Sequence, residues 1–464
     1  MEFHSNLLHM LTMALLVVII LIFLVLAGGI GPDRLAEFDP ISKYGQTKTF
    51  ILYALRFLTF LPIPQAIFNF LGLFCYNTHP QKPKLNSATL FGPSLCFRTV
   101  TRGTFPELLR RNVQKNIDIC SRIGLDNYIL EVVTDNTVNL PNSPRLREII
   151  VPEEYVTRNR TKYKARALNY CLERDVNMLA DDDWIVHLDE ETLLTESSVI
   201  GILNFVNDGK YELGQGVITY ANEEIVSWIT TLADLVRVGM DFGMIRFCLK
   251  FLHRPVFSWK GSFIVAKTAV EKQITYDFGM EGSIAEDCFF ALTGWHQGYK
   301  FGFVEGEMWE KSTFSIMDYI YQRKRWVKGI YNVFFSRQIP YQYKCGISLM
   351  LVSWFTMPLT VTNLLLVPLY PLPMWRSVNI MCGFMGAVML FLFIFGAIKS
   401  FSPRRLGWVR YVLLCFAPVL ILPVSMILET AGVILAFKTR KINTFHIVDK
   451  QTTNVQSSVQ MQIV

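Results

Sequence analysis

Several stretches of this 464-residue sequence join residue types that can do chemistry together. The first is Asp182-Asp183-Trp184-Ile185-Val186-His187-Leu188-Asp189-Glu190-Glu191-Thr192, an apolar run with acids at both ends. Trp184 to Leu188 is long enough for a buried strand and too short for a helix. Carboxylates at the C-terminal end of a strand sit where open α/β sheets bind ligands. Asp189 and Glu191 are two apart, so in extended chain they point the same way. Two hard oxygen ligands on one side can hold a divalent cation, which can neutralise a diphosphate. The competing reading is a polar turn that closes a strand.

Three more stretches carry similar pairs of readings. Lys164-Ala165-Arg166-Ala167-Leu168-Asn169 places a lysine near a helix start, where it can meet a diphosphate or merely form a solvated basic face. Ala285-Glu286-Asp287-Cys288 precedes an apolar helical run. Asp287 can cap that helix, and it can also act as the base that takes a proton from an acceptor hydroxyl. In Gln322-Arg323-Lys324-Arg325-Trp326, Gln322, Arg325 and Trp326 fall on one helix face at i, i+3 and i+4. An amide, a guanidinium and an indole together can hold a sugar and a leaving diphosphate. An amphipathic helix lying on a membrane is the alternative. Trp259-Lys260-Gly261-Ser262 offers no mechanism alone, although the tryptophan can pack on a sugar face and glycine permits close backbone approach. His187 lies inside its strand and reads as a core histidine.

Elements must position these residues, and the pattern supplies them. Runs at 95–101, 128–135, 148–151, 184–188, 214–220, 263–266 and 301–309 read as strands, and 106–123, 161–172 and 224–252 as helices. Thr104 or a neighbour can cap the helix that starts at Pro106. Strands alternating with helices predict an α/β domain with a largely parallel, doubly wound sheet over residues 85–343. Asp135 and Asp189 both end strands, which fits a nucleotide-binding edge.

The chain is 51% hydrophobic with a mean hydropathy of +0.31, too apolar for an ordinary soluble enzyme. The excess sits in residues 7–76 and 345–437, within membrane regions expected over 1–84 and 344–437. Residues 7–30 are almost continuously apolar and carry no Asp, Glu, Lys or Arg, as a membrane span requires. Residues 31–48 read as a polar loop, and 49–76 as a second span broken near Pro62 and Pro64, or a reentrant segment. After residue 343 the spans are 345–370, 378–398 and 411–437, the last interrupted by Pro418 and Pro423 and possible as a reentrant segment; residues 438–464 form a polar tail. The basic stretch 399–410 points to the cytosolic side, two crossings from the central domain. A net charge of +7 fits a face near anionic lipid or a phosphorylated substrate, and no arginine-rich tract points to nucleic acid. Nine cysteines without CxxC or metal-ligand spacing fit reduced thiols.

Asp135, Lys164, Asp189-Glu190-Glu191, Glu286-Asp287 and Gln322-Arg323-Lys324-Arg325-Trp326 occur in this order. Over roughly residues 90–335 the order resembles the membrane-embedded glycosyltransferases of family 2, related to cellulose and hyaluronan synthases. The phrases at 131–135 (EVVTD), 183–195 (DWIVHLDEETLLT), 257–262 (FSWKGS) and 285–290 (AEDCFF) are similar to the egghead-type invertebrate β-1,4-mannosyltransferases. The resemblance implies a GT-A domain facing the cytosol in an integral membrane protein of the ER or Golgi. It implies inverting transfer of mannose from GDP-mannose to glucosylceramide. By position, Asp135 would touch the nucleotide and Lys164 the nucleotide or diphosphate. Asp189 and Glu191 would hold Mg²⁺ or Mn²⁺, with Glu191 where many relatives have Asp. Asp287 would be the base, and Gln322, Arg325 and Trp326 would line the acceptor and diphosphate site. The F-x-V-T-x-K gating pattern of processive relatives is missing after Trp326, which favours a single addition.

Overall fold

The apolar ends of the sequence become long helices because such segments can satisfy every backbone group internally. In the computed structural model, which describes residues 2–30, 38–86, 92–257 and 259–438, the first is α1 (Glu2–Leu26). A short helix, α2 (Pro40–Tyr44), is capped by Asp39, whose carboxylate accepts from the N–H groups of Ile41 and Ser42. Then come α3 (Gln46–Leu58) and α4 (Ile63–Cys75), separated at the expected break beside Pro62 and Pro64. At the other end, α12 (Cys345–Thr360) and α13 (Asn363–Leu369) meet at a bend of 50°. After them follow α14 (Arg376–Ser400), the short α15 (Pro403–Leu406) and α16 (Trp408–Lys438). Pro418 and Pro423 do not interrupt α16, so the reentrant alternative for 411–437 gives way to one continuous helix. Among the described residues, four helical segments are long and apolar enough to cross a membrane, and five if the bent pair is one span. The expected tail from residue 439 onward and residues 31–37 of the expected loop lie outside the described residues.

Between these ends, a seven-stranded sheet has the order β3-β2-β1-β4-β6-β5-β7. Its strands are β1 (Leu95–Thr101), β2 (Tyr128–Thr134), β3 (Leu146–Ile150), β4 (Trp184–Leu188), β5 (Leu213–Tyr220), β6 (Ile264–Lys267) and β7 (Phe301–Glu310). Neighbours pair in parallel except around β6, which runs antiparallel to both β4 and β5. β4 is buried along its whole length, as its unbroken apolar run requires. The helices of this region are α5 (Pro106–Ile123), α6 (Tyr163–Tyr170), α7 (Glu196–Asp208), α8 (Trp228–Met240), α9 (Thr268–Ile274), α10 (Glu286–His296) and α11 (Ile316–Phe335). The expected threonine cap of α5 is not made: its N-cap is Phe105, with no side-chain bond. The single long helix expected over 224–252 is instead α8 followed by two π-helical turns, Asp241–Ile245 and Cys248–Leu252.

The sheet and the membrane-type helices share one core. Leu16, Leu73 and Phe391 belong to the same buried cluster as Val132, Val186 and Phe263. Glycines let the backbones meet. A Cβ at Gly72 of α4 would fall 1.9 Å from the carbonyl oxygen of Gly243, and one at Gly396 of α14 would fall 2.0 Å from that of Leu235 in α8. The end of α14 and the short α15 are fastened to the sheet region: Lys399 pairs with Glu307 at 2.8 Å, and Arg405 donates to the carbonyls of Ala221, Asn222 and Glu223.

Candidate active site

The parallel strands β1, β2 and β4 deliver their C-terminal ends to one edge, and a cavity of about 1100 Å³ opens there. Asp135, Lys164, Asp189, Glu191, Asp287, Gln322, Arg325 and Trp326 all line it. Asp189 and Glu191 do not owe their common direction to strand alternation. β4 stops at Leu188, and a bond from the N–H of Thr192 to the carbonyl of Asp189 (3.0 Å) closes a turn over the acids. The strand alternation therefore does not apply, and the turn brings both carboxylates to the cavity wall. Glu190 lines the cavity as well, with Thr101 donating to its carboxylate and the Asn112 amide donating to its carbonyl at 2.8 Å.

That turn is propped from below. The Asp189 N–H donates to the hydroxyls of Thr192 and Ser262, each at 3.2 Å. Thr192 in turn donates to Glu310 at the end of β7 (2.7 Å). Lys164, on the first turn of α6, reaches Asp189 at 2.6 Å and the carbonyl of Gly261 at 3.0 Å. Burial opposes its charge, but Asp189 and then Glu286 outweigh this and hold the ammonium above its ordinary value. Gly261 is a spacer: a Cβ there would lie 3.1 Å from Asp287 Oδ2 and 3.5 Å from Lys164 Nζ. Asp287 is the second residue of α10 and its Oδ1 accepts from the N–H of Cys288 (2.7 Å), while the N-cap itself, Ala285, makes no side-chain bond. Burial raises the Asp287 carboxyl, although the Cys288 N–H and Lys164 pull it back.

Asp135 stands at the cavity mouth, 3.2 Å from Arg166 and 3.7 Å from Arg102. The opposite wall is α11. The guanidinium groups of Arg323 (4.2 Å) and Arg237 (4.8 Å) lie close to the Trp326 ring. Arg323 is buried and donates to Glu429 on α16 (2.5 Å), to Asp234 on α8 (2.6 Å) and to the Gln322 side chain (2.7 Å). Trp259 lines the cavity but is buried, edge-on against Phe301. Its neighbour Lys260 pairs with Asp241 at the start of the first π-helical turn. His187 is indeed core, 2.6 Å from Glu271.

Glu310, Asp234 and Glu429 stand outside the residues that the sequence pattern singles out. Two of them carried usable signals: Glu310 ends a strand as Asp135 and Asp189 do, and Glu429 is the lone acid in an apolar helix. Glu286 and Glu310 are both pushed up to about 7. Burial comes first in each case; Asp287 then adds for Glu286, and Glu191 and Asp189 for Glu310. Among the described residues no group of three or more His, Cys, Asp or Glu is arranged to hold a metal ion. Asp189 and Glu191 are nevertheless hard oxygen donors in an acid-rich pocket, and a magnesium-like ion often takes only one or two carboxylates, the rest being water and phosphate oxygens.

Residues 184–399 match the family described as Glycosyl transferase family group 2. The chain is 48% identical over 444 residues to Beta-1,4-mannosyltransferase egh of Drosophila melanogaster, covering 95% of this chain and 97% of that protein. It is 46% identical over 418 residues to Beta-1,4-mannosyltransferase bre-3 of Caenorhabditis elegans, covering 90% and 92%. Among solved structures it is similar to the mannosyltransferase PcManGT from Pyrobaculum calidifontis in complex with GDP-Man and Mn²⁺, with 11% identity, a TM-score of 0.44, and 82% and 98% of the two chains covered.

Proposed function

Because the chain belongs to the family of β-1,4-mannosyltransferases that includes egh and bre-3, we propose that it moves mannose from GDP-mannose to glucosylceramide with inversion. The observation that carries the acceptor class is the cavity: catalytic carboxylates and residues of the membrane-type helices line the same space. An acceptor with a sugar head and a hydrocarbon body suits such a space. At about 1100 Å³ it exceeds the roughly 300–1,000 Å³ of an ordinary small-molecule pocket.

Asp135 meets the nucleotide, and Lys164 and Arg325 face the diphosphate, whose charge grows as it leaves. Asp189 and Glu191 hold Mg²⁺ or Mn²⁺, which supplies charge neutralisation on the diphosphate when bound. Asp287 accepts the proton of the acceptor hydroxyl as its oxygen attacks the anomeric carbon. Burial favours this, because a carboxylate with a raised pKa is a stronger base than one in water. Gln322 and Trp326 orient the acceptor sugar on the opposite wall. The protein sits in ER or Golgi membrane with this site facing the cytosol, a side supported by the basic residues Lys399, Arg404, Arg405 and Arg410 between the end of α14 and the start of α16.

The test is transfer by purified full-length protein in lipid, with GDP-mannose, UDP-glucose and UDP-N-acetylglucosamine offered separately to glucosylceramide, with and without Mg²⁺ or Mn²⁺. Mannose transfer that needs the cation supports the proposal; transfer from a UDP-sugar overturns the donor. Asp287→Asn is expected to lower turnover by about 10²–10⁴-fold while GDP-mannose still binds. Wild-type turnover in that variant removes Asp287 as the base.

A further inference from the structure

The cavity continues past the polar site into the membrane-type helices. On α16, Glu429, Met426, Leu422 and Val419 line it at steps of three and four residues, so they form one stripe. On α14, Phe393, Met389 and Met385 form a second stripe at steps of four. At a rise of 1.5 Å per residue the α16 stripe is about 15 Å long. Its members are apolar except at one end, where Glu429 is held by Arg323 (2.5 Å) and by the Tyr319 hydroxyl (3.0 Å). Glu429 is the one acid in residues 408–438. An ionisable group in such a helix is costly and marks a place of function. Here it marks a boundary: Arg323, Gln322 and Asp234 line the cavity on one side of it, and only Ser425 interrupts the apolar α16 lining on the other.

We propose that the stripes of α14 and α16 form a chamber for one hydrocarbon chain of the acceptor lipid, with Glu429 at the rim where chain gives way to polar head. The inference rests on the glycolipid reading above and adds where the lipid lies. Burying a chain removes it from water or from the bilayer without loss only if the wall is apolar and can adapt. Met385, Met389 and Met426 supply unbranched, deformable side chains that accommodate chains of different length and saturation. Arg323 connects this rim to the reaction wall, since the same guanidinium bonds Glu429, Gln322 and Asp234. Seating the chain would thereby place the sugar head against Gln322 and Trp326.

The test uses the full chain in nanodiscs and a glucosylceramide bearing a diazirine near the end of its acyl chain. Photolysis and peptide mapping are expected to find adducts within residues 385–393 and 419–426. Leu422→Trp, which fills the stripe, should cut that labelling at least fivefold and raise the KM for long-chain glucosylceramide about tenfold, without a matching change in the KM for GDP-mannose. Met389→Trp, on the facing wall, repeats the test if Leu422→Trp does not fold. Adducts confined to other helices, or labelling indifferent to both substitutions, overturn the chamber. Labelling of the stripes in a protein that transfers no mannose to glucosylceramide sinks the acceptor assignment and leaves the chamber standing; mannose transfer without labelling of the stripes does the reverse.

Discussion

Two clusters of buried charge lie on the same sheet, and they are built to opposite rules. Within the sheet, Arg98 bonds Glu131 (2.9 Å) and Glu271 (3.1 Å), His187 bonds Glu271 (2.6 Å), and Arg147 bonds Glu131 (3.2 Å). At the strand ends, Asp189, Glu191, Glu286, Asp287 and Glu310 gather around the cavity with Lys164 and Arg325. Glu271 and Glu310 are both buried. Burial works to raise Glu271, yet His187 and Arg98 more than offset it and hold the carboxyl below its ordinary value. Burial raises Glu310 too, and Glu191 and Asp189 push it further, to about 7. The sign of the neighbours decides, not the depth. The inner cluster is neutralised and closed, whereas in the outer one carboxylates crowd one another beside an open cavity. Folding alone gives no reason to retain that crowding; a cationic or proton-donating ligand does.

The sharpest way to break this comparison is to remove one cation from each cluster. Arg98→Met leaves Glu131 and Glu271 buried without their shared partner, a situation that costs about 3–5 kcal/mol. Thermal unfolding of the purified full chain should reveal it as a large drop in midpoint, with activity per folded molecule little changed. An Arg98→Met protein that unfolds with the wild type would mean that the inner cluster is not structural. Lys164→Met is expected to behave the other way. Asp189 is part-exposed and can turn to water, so the midpoint should move little. The catalytic efficiency should fall about a hundredfold, equivalent to about 2.7 kcal/mol, because the diphosphate loses a cation and the Asp189 turn loses its anchor. Steady-state kinetics with GDP-mannose checks it, and equal losses of stability in both variants would erase the distinction.

The two clusters were not equally legible in the sequence. The strands that carry them were, because β4 is an unbroken apolar run and β1 and β2 end at turn residues. The outer cluster was partly legible because acids at strand ends stand out against their apolar surroundings. Its third layer was not: Glu310 is 119 residues from Glu191, and only the pairing of β5 with β7 and the bridge between Leu193 and Trp309 bring them close. The inner cluster was illegible for the same reason, since Arg98 and Glu271 meet only when β1, β4 and β6 stack side by side. The split of the expected 224–252 helix also had no local cue. It follows from contact with α4, where the Asn69 side chain accepts from the N–H of Met244 at 3.0 Å inside the π-helical turn.

The smallest effect is the most diagnostic. Glu310→Gln keeps an acceptor for the Thr192 hydroxyl and removes a charge that the fold disfavours. Because the folded pKa is raised above the ordinary carboxylate value, the fold prefers the neutral acid. That preference stabilises the wild type fully below the ordinary value and is lost as pH rises through about 7. The amide is neutral at every pH, so the variant should match the wild type more closely at pH 5 and exceed it at pH 8, by about 2 kcal/mol. Unfolding midpoints in cation-free buffer at the two pH values measure this. Mg²⁺ or Mn²⁺ should then shrink the gap at pH 8, because a cation held by Asp189 and Glu191 would relieve the same repulsion that the substitution removes. A gap of equal size at both pH values would show that Glu310 is not crowded by its acidic neighbours, and the contrast between the two clusters would fall.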